Sequence, residues 1–467
     1  MKELTFENFQ KLIASLRIKL PSFDLPKLKI GNKTAPVSIV QGGMGVGISL
    51  SSLASAVANE GGVGIIAANG IGMIEPNYFT DGRAANINGL RNEIRKAKAK
   101  SPGIIGVNIM VALEDFQELL QTSIEEKVDL VVLGAGLPIK NIPVARLREA
   151  GVQVVPIVSS ARAAKLIFSM WKKIYNDVPD AVVVEGPKAG GHLGVAEKDL
   201  EDKASSLETV VPQVKAAMQE YSEEFTKPIP IIAGGGIFTG EDIYNILKLG
   251  ANGVQIGTRF AATEECDADI RFKEAIVACT QEDIGIIKSP VGLPGRAIIN
   301  NFLTSTSKEK RTFNCPWQCL SSCRAEESNY CISMALNNAR KGNLTRGFVF
   351  VGAEAHRISA ITTVSELINK LRHEYTEALF ADKKSFFSEV AELANRLKHE
   401  YKTMEQRARE LKETYLEAIT HGPVSDTIAS VKTELQTVNS RLSMIQYTIS
   451  DKIVKIFHDG KQQANTQ

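Results

Sequence analysis

Short apolar runs rich in β-branched residues recur at regular intervals through the first 260 residues of the chain. Each run is followed by a glycine-containing turn and then by a segment with helical periodicity, such as residues 116–127 and 241–250. Continuous apolar runs of this length are typical of strands buried on both faces, as in parallel sheets. We therefore predict eight strands, at residues 37–41, 63–67, 104–110, 129–134, 152–158, 181–186, 229–235 and 253–259.

Eight βα units in succession favour an α/β fold of the (β/α)8 TIM-barrel type. An open doubly wound sheet is the alternative, and periodicity alone does not exclude it. Ligands of such barrels bind at the C-terminal ends of the strands, on the βα loops. Glycine clusters occupy those loops here, at residues 41–45, 189–192, 234–236 and 257–258. Their common position at one face predicts a cofactor site there.

The composition changes near residue 372. Of 36 glycines only Gly422 and Gly460 lie beyond this point, and of 17 prolines only Pro423 does. We predict a helical lead-in over residues 1–34, the barrel over 35–300, a cysteine-containing α-rich extension over 301–371, and a C-terminal helical hairpin over 372–467.

The charge balance excludes some classes of partner. Lys and Arg number 55 against 53 Asp and Glu, which gives no electrostatic reason to expect a nucleic-acid or membrane partner. No apolar run is long enough for a transmembrane helix, and the N-terminal segment lacks the apolar region of a signal peptide. A cytoplasmic protein is the expectation.

The expected cofactor is a mononucleotide. The chain has neither a G-x-G-x-x-G opening a βαβ unit nor a G-x-x-x-x-G-K-[ST] motif, which disfavours a Rossmann-bound dinucleotide and a P-loop nucleotide. Barrels commonly build a phosphate site from the loops after strands seven and eight. FMN fits that arrangement, with its phosphate at Gly234, Gly235, Gly236, Gly257 and Thr258.

His192 follows strand six in the segment EGPKAGGHLG and is the candidate catalytic residue. Its unperturbed pKa suits proton transfer near neutral pH, but it could equally hydrogen-bond a loop or a cofactor phosphate. Nearby, Lys188 could attract an anionic substrate or be a solvated loop lysine. Glu185 is interpreted as a hydrogen-bonding cap rather than a catalyst.

Five ordered motifs resemble the nitronate monooxygenase family, formerly called 2-nitropropane dioxygenases, and its relatives, the FMN-dependent enoyl-acyl-carrier-protein reductases. They are QGGMGVGISLSSLASAVANEGGVGII, GVNIM, EGPKAGGHLG, PIIAGGGI and VQIGTRF, and they cover roughly residues 35–300. The resemblance implies an FMN-binding TIM barrel. It also implies one of two activities: oxidation of alkyl nitronates with O₂ to a carbonyl compound and nitrite, or NAD(P)H-dependent reduction of an enoyl thioester. Nitronate oxidation is the preferred interpretation.

The resemblance also implies roles for particular residues. His192 matches the histidine implicated in taking a proton from a nitroalkane. The residues expected at the flavin are Gln41, Gly42, Gly43, Met44, Asn108, Gly190 and Gly191, with the glycine loops after strands seven and eight at the phosphate.

Four cysteines form an unusual cluster outside these motifs. Cys315, Cys319, Cys323 and Cys331 have C-x₃-C-x₃-C-x₇-C spacing, and a helix would place the first three on one face. Such thiols could hold zinc or an iron–sulfur cluster, although the spacing matches no common motif. The alternative is reduced cysteines that pack as small apolar side chains.

The tail has the apolar periodicity of two helices. Ile428, Val431, Leu435, Val438, Leu442, Ile445 and Ile449 form an a/d seam of the coiled-coil type after a break at Gly422–Pro423. The hairpin could pack on its own barrel or join subunits of a homo-oligomer. A flavin or metal sensor signalling through this tail is the non-enzymatic alternative, but the tail contains no recognisable output module.

Overall fold

The computed structural model describes residues 4–20, 23–313, 315, 318–321, 323–420 and 425–463. Two compact units divide the chain, one from Leu25 to Tyr375 and one made of the segments before and after it. The strands are β1 (Leu28–Ile30), β2 (Lys33–Ala35), β3 (Ile39–Gln41), β4 (Val63–Ala67), β5 (Ile104–Met110), β6 (Leu130–Gly134), β7 (Gln153–Val158), β8 (Val182–Glu185), β9 (Gly191–His192), β10 (Ile231–Gly234), β11 (Gly253–Ile256), β12 (Ile284–Lys288) and β13 (Pro294–Ile298).

The α-helices are α1 (Phe6–Ala14), α2 (Ser51–Asn59), α3 (Gly82–Lys100), α4 (Phe116–Glu125), α5 (Val144–Ala150), α6 (Ala161–Tyr175), α7 (Leu207–Glu224), α8 (Gly240–Lys248), α9 (Thr258–Ala261), α10 (Ile270–Ala278), α11 (Asn301–Lys308), α12 (Ile332–Arg340), α13 (Val364–Asp382), α14 (Lys384–Thr420) and α15 (Ser425–Gln463). In the described ranges, no helix is both long enough and apolar enough to cross a membrane.

The predicted barrel is confirmed. Strands β3 to β8, β10 and β11 form a closed parallel barrel, and β11 pairs with β3 to complete the ring. All eight predicted strands belong to the barrel. Their side chains are buried on the inner and outer faces alike, which explains why the strands are continuous apolar runs in the sequence. Val40, Ile65, Val132, Val155 and Val183 belong to one buried apolar cluster of the barrel.

A small antiparallel sheet is added at the mouth of the barrel. β12 and β13 form a hairpin, and β13 also pairs with the two-residue strand β9, with Gly295 opposite His192. The hairpin therefore fixes the backbone of His192 from a part of the chain about 100 residues away.

The second unit consists of α1 and an antiparallel helical hairpin formed by α14 and α15. The ion pairs Arg407–Glu434 and Arg441–Glu400 run in opposite chain directions, as antiparallel helices require. The predicted seam residues from Val431 to Ile449 pack against α14 or α1. The predicted turn at Gly422–Pro423 lies outside the described residues.

Candidate functional site

A cavity of about 320 Å³ opens at the C-terminal ends of the barrel strands. Most of the residues predicted to bind the cofactor or substrate line it, namely Gly42, Gly43, Met44, Asn108, Gly190, Gly191, His192, Gly235, Gly236, Gly257 and Thr258. The fold brings them together because parallel strands end at the same rim of the barrel.

Two predicted residues do not line the cavity. The Gln41 side chain is fully buried, where its Oε1 accepts a hydrogen bond from the Ile65 N–H at 2.9 Å and its Nε2 donates to the Gly42 carbonyl. It joins β3 to β4 and so holds the start of the Gly42–Met44 loop. Gly234 is the last residue of β10 and lies in the barrel wall.

The loops after β10 and β11 form a concave, positively charged part of the cavity. Gly235 has φ +100°, and a Cβ there would lie 2.9 Å from the Gly186 carbonyl oxygen, so only glycine fits. The Arg259 guanidinium lines the same region and donates to the Phe238 carbonyl at 2.6 Å. In the described chain, no carboxylate forms an ion pair with Arg259, so its charge is available to a bound phosphate.

The opposite side of the cavity is shaped for close backbone approach. A Cβ on Gly43 would lie 2.4 Å from the Cβ of Asn108, so this loop packs directly on β5. The Asn108 amide donates to the Val132 carbonyl at 3.3 Å, which keeps the side chain at the cavity wall. A flat ring system fits against such a wall, and these contacts are compatible with the predicted flavin position.

His192 lies between the barrel mouth and the antiparallel sheet. Its Nε2 is 2.7 Å from the Ser289 Oγ, and its ring centroid is 5.2 Å from that of Phe350. Burial lowers the pKa of His192 to about 4, so the imidazole is neutral at physiological pH. The side chain is thus a positioned, uncharged donor or acceptor rather than a cation.

Two charged side chains near His192 have different environments. Glu185, at the end of β8, lines the cavity, and desolvation raises the pKa of its carboxyl to about 7. Lys188 instead points to the rim, where its Nζ is 3.1 Å from a carboxylate oxygen of Glu354. The Lys188 side chain is largely exposed in this ion pair, and Glu354 partly neutralises its charge.

Several residues that support the site were not predicted from the sequence. Ser289 holds the His192 ring, and Phe350 packs beside it. Arg296 on β13 is buried, and its Nη1 donates to the carbonyls of Pro187 and Ala189 at 2.6 and 2.7 Å. The turn-forming composition of residues 289–295 was a signal for a hairpin, but nothing local indicated that the hairpin would reach His192.

The cysteine segment differs from the expectation. The four cysteines line one cavity, but the described residues from 315 to 323 are not helical. Leu320 forms a β-bridge with Leu113, and the Ser321 N–H donates to the Ala112 carbonyl at 3.0 Å, so contacts with the loop after β5 determine this backbone.

The predicted metal site receives no support from this arrangement. Among the residues that the structure describes, no group of three or more His, Cys, Asp or Glu side chains is placed to hold a metal ion. Burial also raises the pKa of the Cys319 thiol to about 11, so the metal-free thiol is protonated at neutral pH.

Comparison with known proteins agrees with the geometry of the barrel. A family model described as Nitronate monooxygenase matches residues 27–374. A probable nitronate monooxygenase of Staphylococcus aureus is 26% identical over 298 residues, which cover 58% of this chain and 77% of that protein. FabK from Thermotoga maritima is 28% identical with a TM-score of 0.58, covering 80% of this chain and 98% of that chain.

A third relative has a different name. It is (3aS,4S,5R,7aS)-5-hydroxy-7a-methyl-1-oxo-octahydro-1H-indene-4-carboxyl-CoA dehydrogenase of Rhodococcus jostii, 29% identical over 267 residues, which cover 57% of this chain. The chain spans 64% of the length of that relative.

The family model covers most of the barrel-containing unit, including all eight barrel strands. Members of the family and FabK are FMN-dependent, and the glycine loops and Arg259 fit a flavin phosphate. The chain therefore belongs to the nitronate monooxygenase family and is a flavin-dependent oxidoreductase.

Proposed function

We propose that this protein is an FMN-dependent nitronate monooxygenase that oxidises alkyl nitronates. Two nitronate anions and one O₂ would give two carbonyl compounds and two nitrite ions, a stoichiometry that balances atoms and charge. The family match over residues 27–374 and the Staphylococcus aureus relatives support this choice.

FMN would be held by the residues that line the cavity. The loops at Gly235–Gly236 and Gly257–Thr258, with Arg259, would bind the phosphate, and the Gly42–Met44 loop with Asn108 would contact the ring. Bound FMN supplies the electron-accepting centre and the reaction with O₂. The protein's own contribution is to bind and orient the substrate beside it.

The neutral state of His192 is the observation that supports a nitronate as the substrate. A nitronate is an anion that has already lost its proton, so its oxidation needs no strong base. With a pKa of about 4, His192 is a weak base at neutral pH and suits hydrogen bonding better than proton removal.

Ser289 determines which nitrogen of His192 faces the substrate. The Val291 N–H is 3.4 Å from the Ser289 Oγ, so the hydroxyl can accept from that N–H and donate its own proton to Nε2. In that arrangement the imidazole proton would be on Nδ1. An Nδ1–H donor can bind a nitronate oxygen, and Ser289 acts as a positioning residue.

The test compares preformed ethylnitronate with neutral nitroethane in the FMN-loaded protein. Wild type should oxidise the nitronate far faster than nitroethane. In His192→Asn, kcat/KM for the nitronate should fall by roughly tenfold, because the imidazole donor to its oxygen is lost, and turnover of nitroethane should fall by no more than that.

His356→Asn is the matched control, because the His356 ring contacts the Ala353 carbonyl at 3.2 Å and does not line the cavity. A loss on nitroethane that exceeds the loss on the nitronate by ~10²–10⁴ would instead assign His192 to proton removal. Failure of the nitronate to bleach the flavin of wild type anaerobically would contradict the proposed activity.

Thioester oxidoreduction is the second candidate. The Rhodococcus relative is named as a carboxyl-CoA dehydrogenase, and its 29% identity is similar to that of the nitronate monooxygenases. In this case NADH or NADPH should bleach the flavin anaerobically, an enoyl thioester should reoxidise it, and nitronates should do neither.

A further inference from the structure

A second cavity, separate from the flavin cavity, lies beside the segment that follows β4. Its volume is about 440 Å³, within the usual range for small-molecule sites. Helix α12 lies between the two cavities, since Leu336 lines the flavin cavity whereas Met334 and Asn338 line the second one. A ligand in the second cavity would therefore not occupy the FMN position.

The walls of this cavity are largely aromatic. Tyr78, Phe302 and Tyr330 are at most 7% exposed, and the rings of Phe302 and Tyr330 meet edge to face at 5.1 Å between centroids. Met73 and Met334 also line it, and the flexible methionine side chains adapt readily to different apolar shapes. Three of the four clustered cysteines, Cys315, Cys319 and Cys331, form a further part of the wall. Such a surface suits an aromatic or branched apolar group.

The mouth of the cavity has positive charge without a matching negative charge. Arg311 and Arg346 both line it, and none of the described lining residues is Asp or Glu. Arg311 lies over the Phe302 ring at 5.0 Å and donates from Nη2 to the Ser305 Oγ at 3.0 Å. Within the described ranges, neither guanidinium forms an ion pair with a carboxylate.

Tyr330 adds a polar group to the wall of the cavity. The side chain is 7% exposed, and in the described part of the chain its hydroxyl has no hydrogen-bond partner. Burial raises the pKa of Tyr330 to about 12, so the phenol stays protonated and can donate. The hydroxyl is therefore available to donate a hydrogen bond to a ligand oxygen.

We propose that this cavity binds a small organic anion with an aromatic or branched apolar body, such as an arylcarboxylate. Arg311 and Arg346 would bind the anionic group, Phe302 and Tyr330 would pack on the body, and the Tyr330 hydroxyl would donate to a ligand oxygen. Two guanidinium groups without an Asp or Glu among the described cavity residues bind an anion better than a neutral molecule of the same shape.

The test uses two fluorescent probes with the same aromatic body. 1-Anilinonaphthalene-8-sulfonate is anionic, and N-phenyl-1-naphthylamine is its neutral counterpart. With the FMN-loaded protein, the anionic probe should bind once per chain. The double variant Arg311→Gln/Arg346→Gln should weaken its binding by about tenfold or more and change that of the neutral probe by less than about twofold.

Two further variants keep the result interpretable. Thr312→Trp fills the exposed mouth of the cavity and should weaken both probes, with unchanged FMN absorbance. Arg95→Gln, at an exposed ion pair with Glu126 on the barrel, removes one positive charge elsewhere and should change neither. Equal binding of the anionic probe to wild type, the double variant and Thr312→Trp would overturn the proposal. The nitronate assay is independent of this result.

Discussion

The carboxyl group of Glu185 is expected to control the pH dependence of nitronate oxidation. It lines the flavin cavity together with His192, and its pKa is raised to about 7 by desolvation. The pKa of His192 is lowered to about 4, so the imidazole stays neutral from pH 5.5 to 9.5 while Glu185 loses its proton. Above pH 7 the cavity therefore acquires a negative charge that repels an anionic substrate.

The size of this effect follows from Coulomb's law. Two unit charges about 6 Å apart at an effective dielectric constant of about 20 repel by roughly 3 kcal/mol. A loss of this size corresponds to a ~100-fold decrease in kcat/KM. We expect kcat/KM for ethylnitronate to be constant below about pH 6 and to decline above pH 7 toward a plateau ~100-fold lower.

Oxygen consumption with freshly prepared ethylnitronate, measured from pH 5.5 to 9.5, checks this prediction. Glu185→Gln should give a flat profile, because the amide cannot ionise. The control is Glu354→Gln, which removes a carboxylate at the rim that is paired with Lys188 and should leave the inflection in place. The reasoning is refuted if Glu185→Gln keeps the wild-type inflection, or if the inflection disappears only in His192→Asn.

Other measurements test separate parts of the structure. In the flavin-free protein, the Glu185 pKa of about 7 lies above its unfolded value of 4.5, so the free energy of unfolding decreases as pH rises from 4.5 to 7. Urea denaturation should therefore show that Glu185→Gln raises the free energy of unfolding by about 3 kcal/mol at pH 8 and leaves it unchanged below pH 4.5. Gly235→Asp should abolish flavin retention, measured by absorbance, whereas Gly151→Asp, also at positive φ but with open space around it, should retain flavin. With a pKa of about 11, only about one in a thousand Cys319 side chains is a thiolate at pH 8. Its alkylation rate, measured by mass spectrometry, should therefore increase about tenfold per pH unit from pH 7 to 10. A rate independent of pH would show that the thiol is not buried as described.

The barrel was predictable because each of its strands and loops is specified by residues that are neighbours in the sequence. Each barrel strand is a continuous apolar run, and the glycine loops follow the strands directly. The support of His192 was not predictable in this way, because it depends on pairing with β13 across about 100 residues. A two-residue strand such as β9 has no periodicity of its own to detect.

In the cysteine segment, the local sequence pattern pointed to a helix that the structure does not contain. Spacing of three residues between cysteines is compatible with a helix, but the backbone at Leu320 and Ser321 instead bonds to the loop at Ala112–Leu113. Tertiary contacts override local spacing in such a short segment. Similarly, the lead-in predicted to be helical over residues 1–34 contains α1 at Phe6–Ala14, whereas β1 and most of β2 lie at its end. Its pattern contains no information about the helices α14 and α15 that α1 packs against.

The second unit combines segments from both ends of the chain, and this has a consequence for its biosynthesis. Phe9 and Ile13 of α1 are completely buried against Phe387, Val390 and Ile449, which are translated more than 370 residues later. At elongation rates of about 5–20 residues per second, α1 leaves the ribosome roughly 20–80 s before its partners exist. During that interval its apolar face is uncovered while the barrel is being made. Cellular chaperones that bind short apolar segments would therefore meet this helix first, and the chain can bury it only after the hairpin has been synthesised.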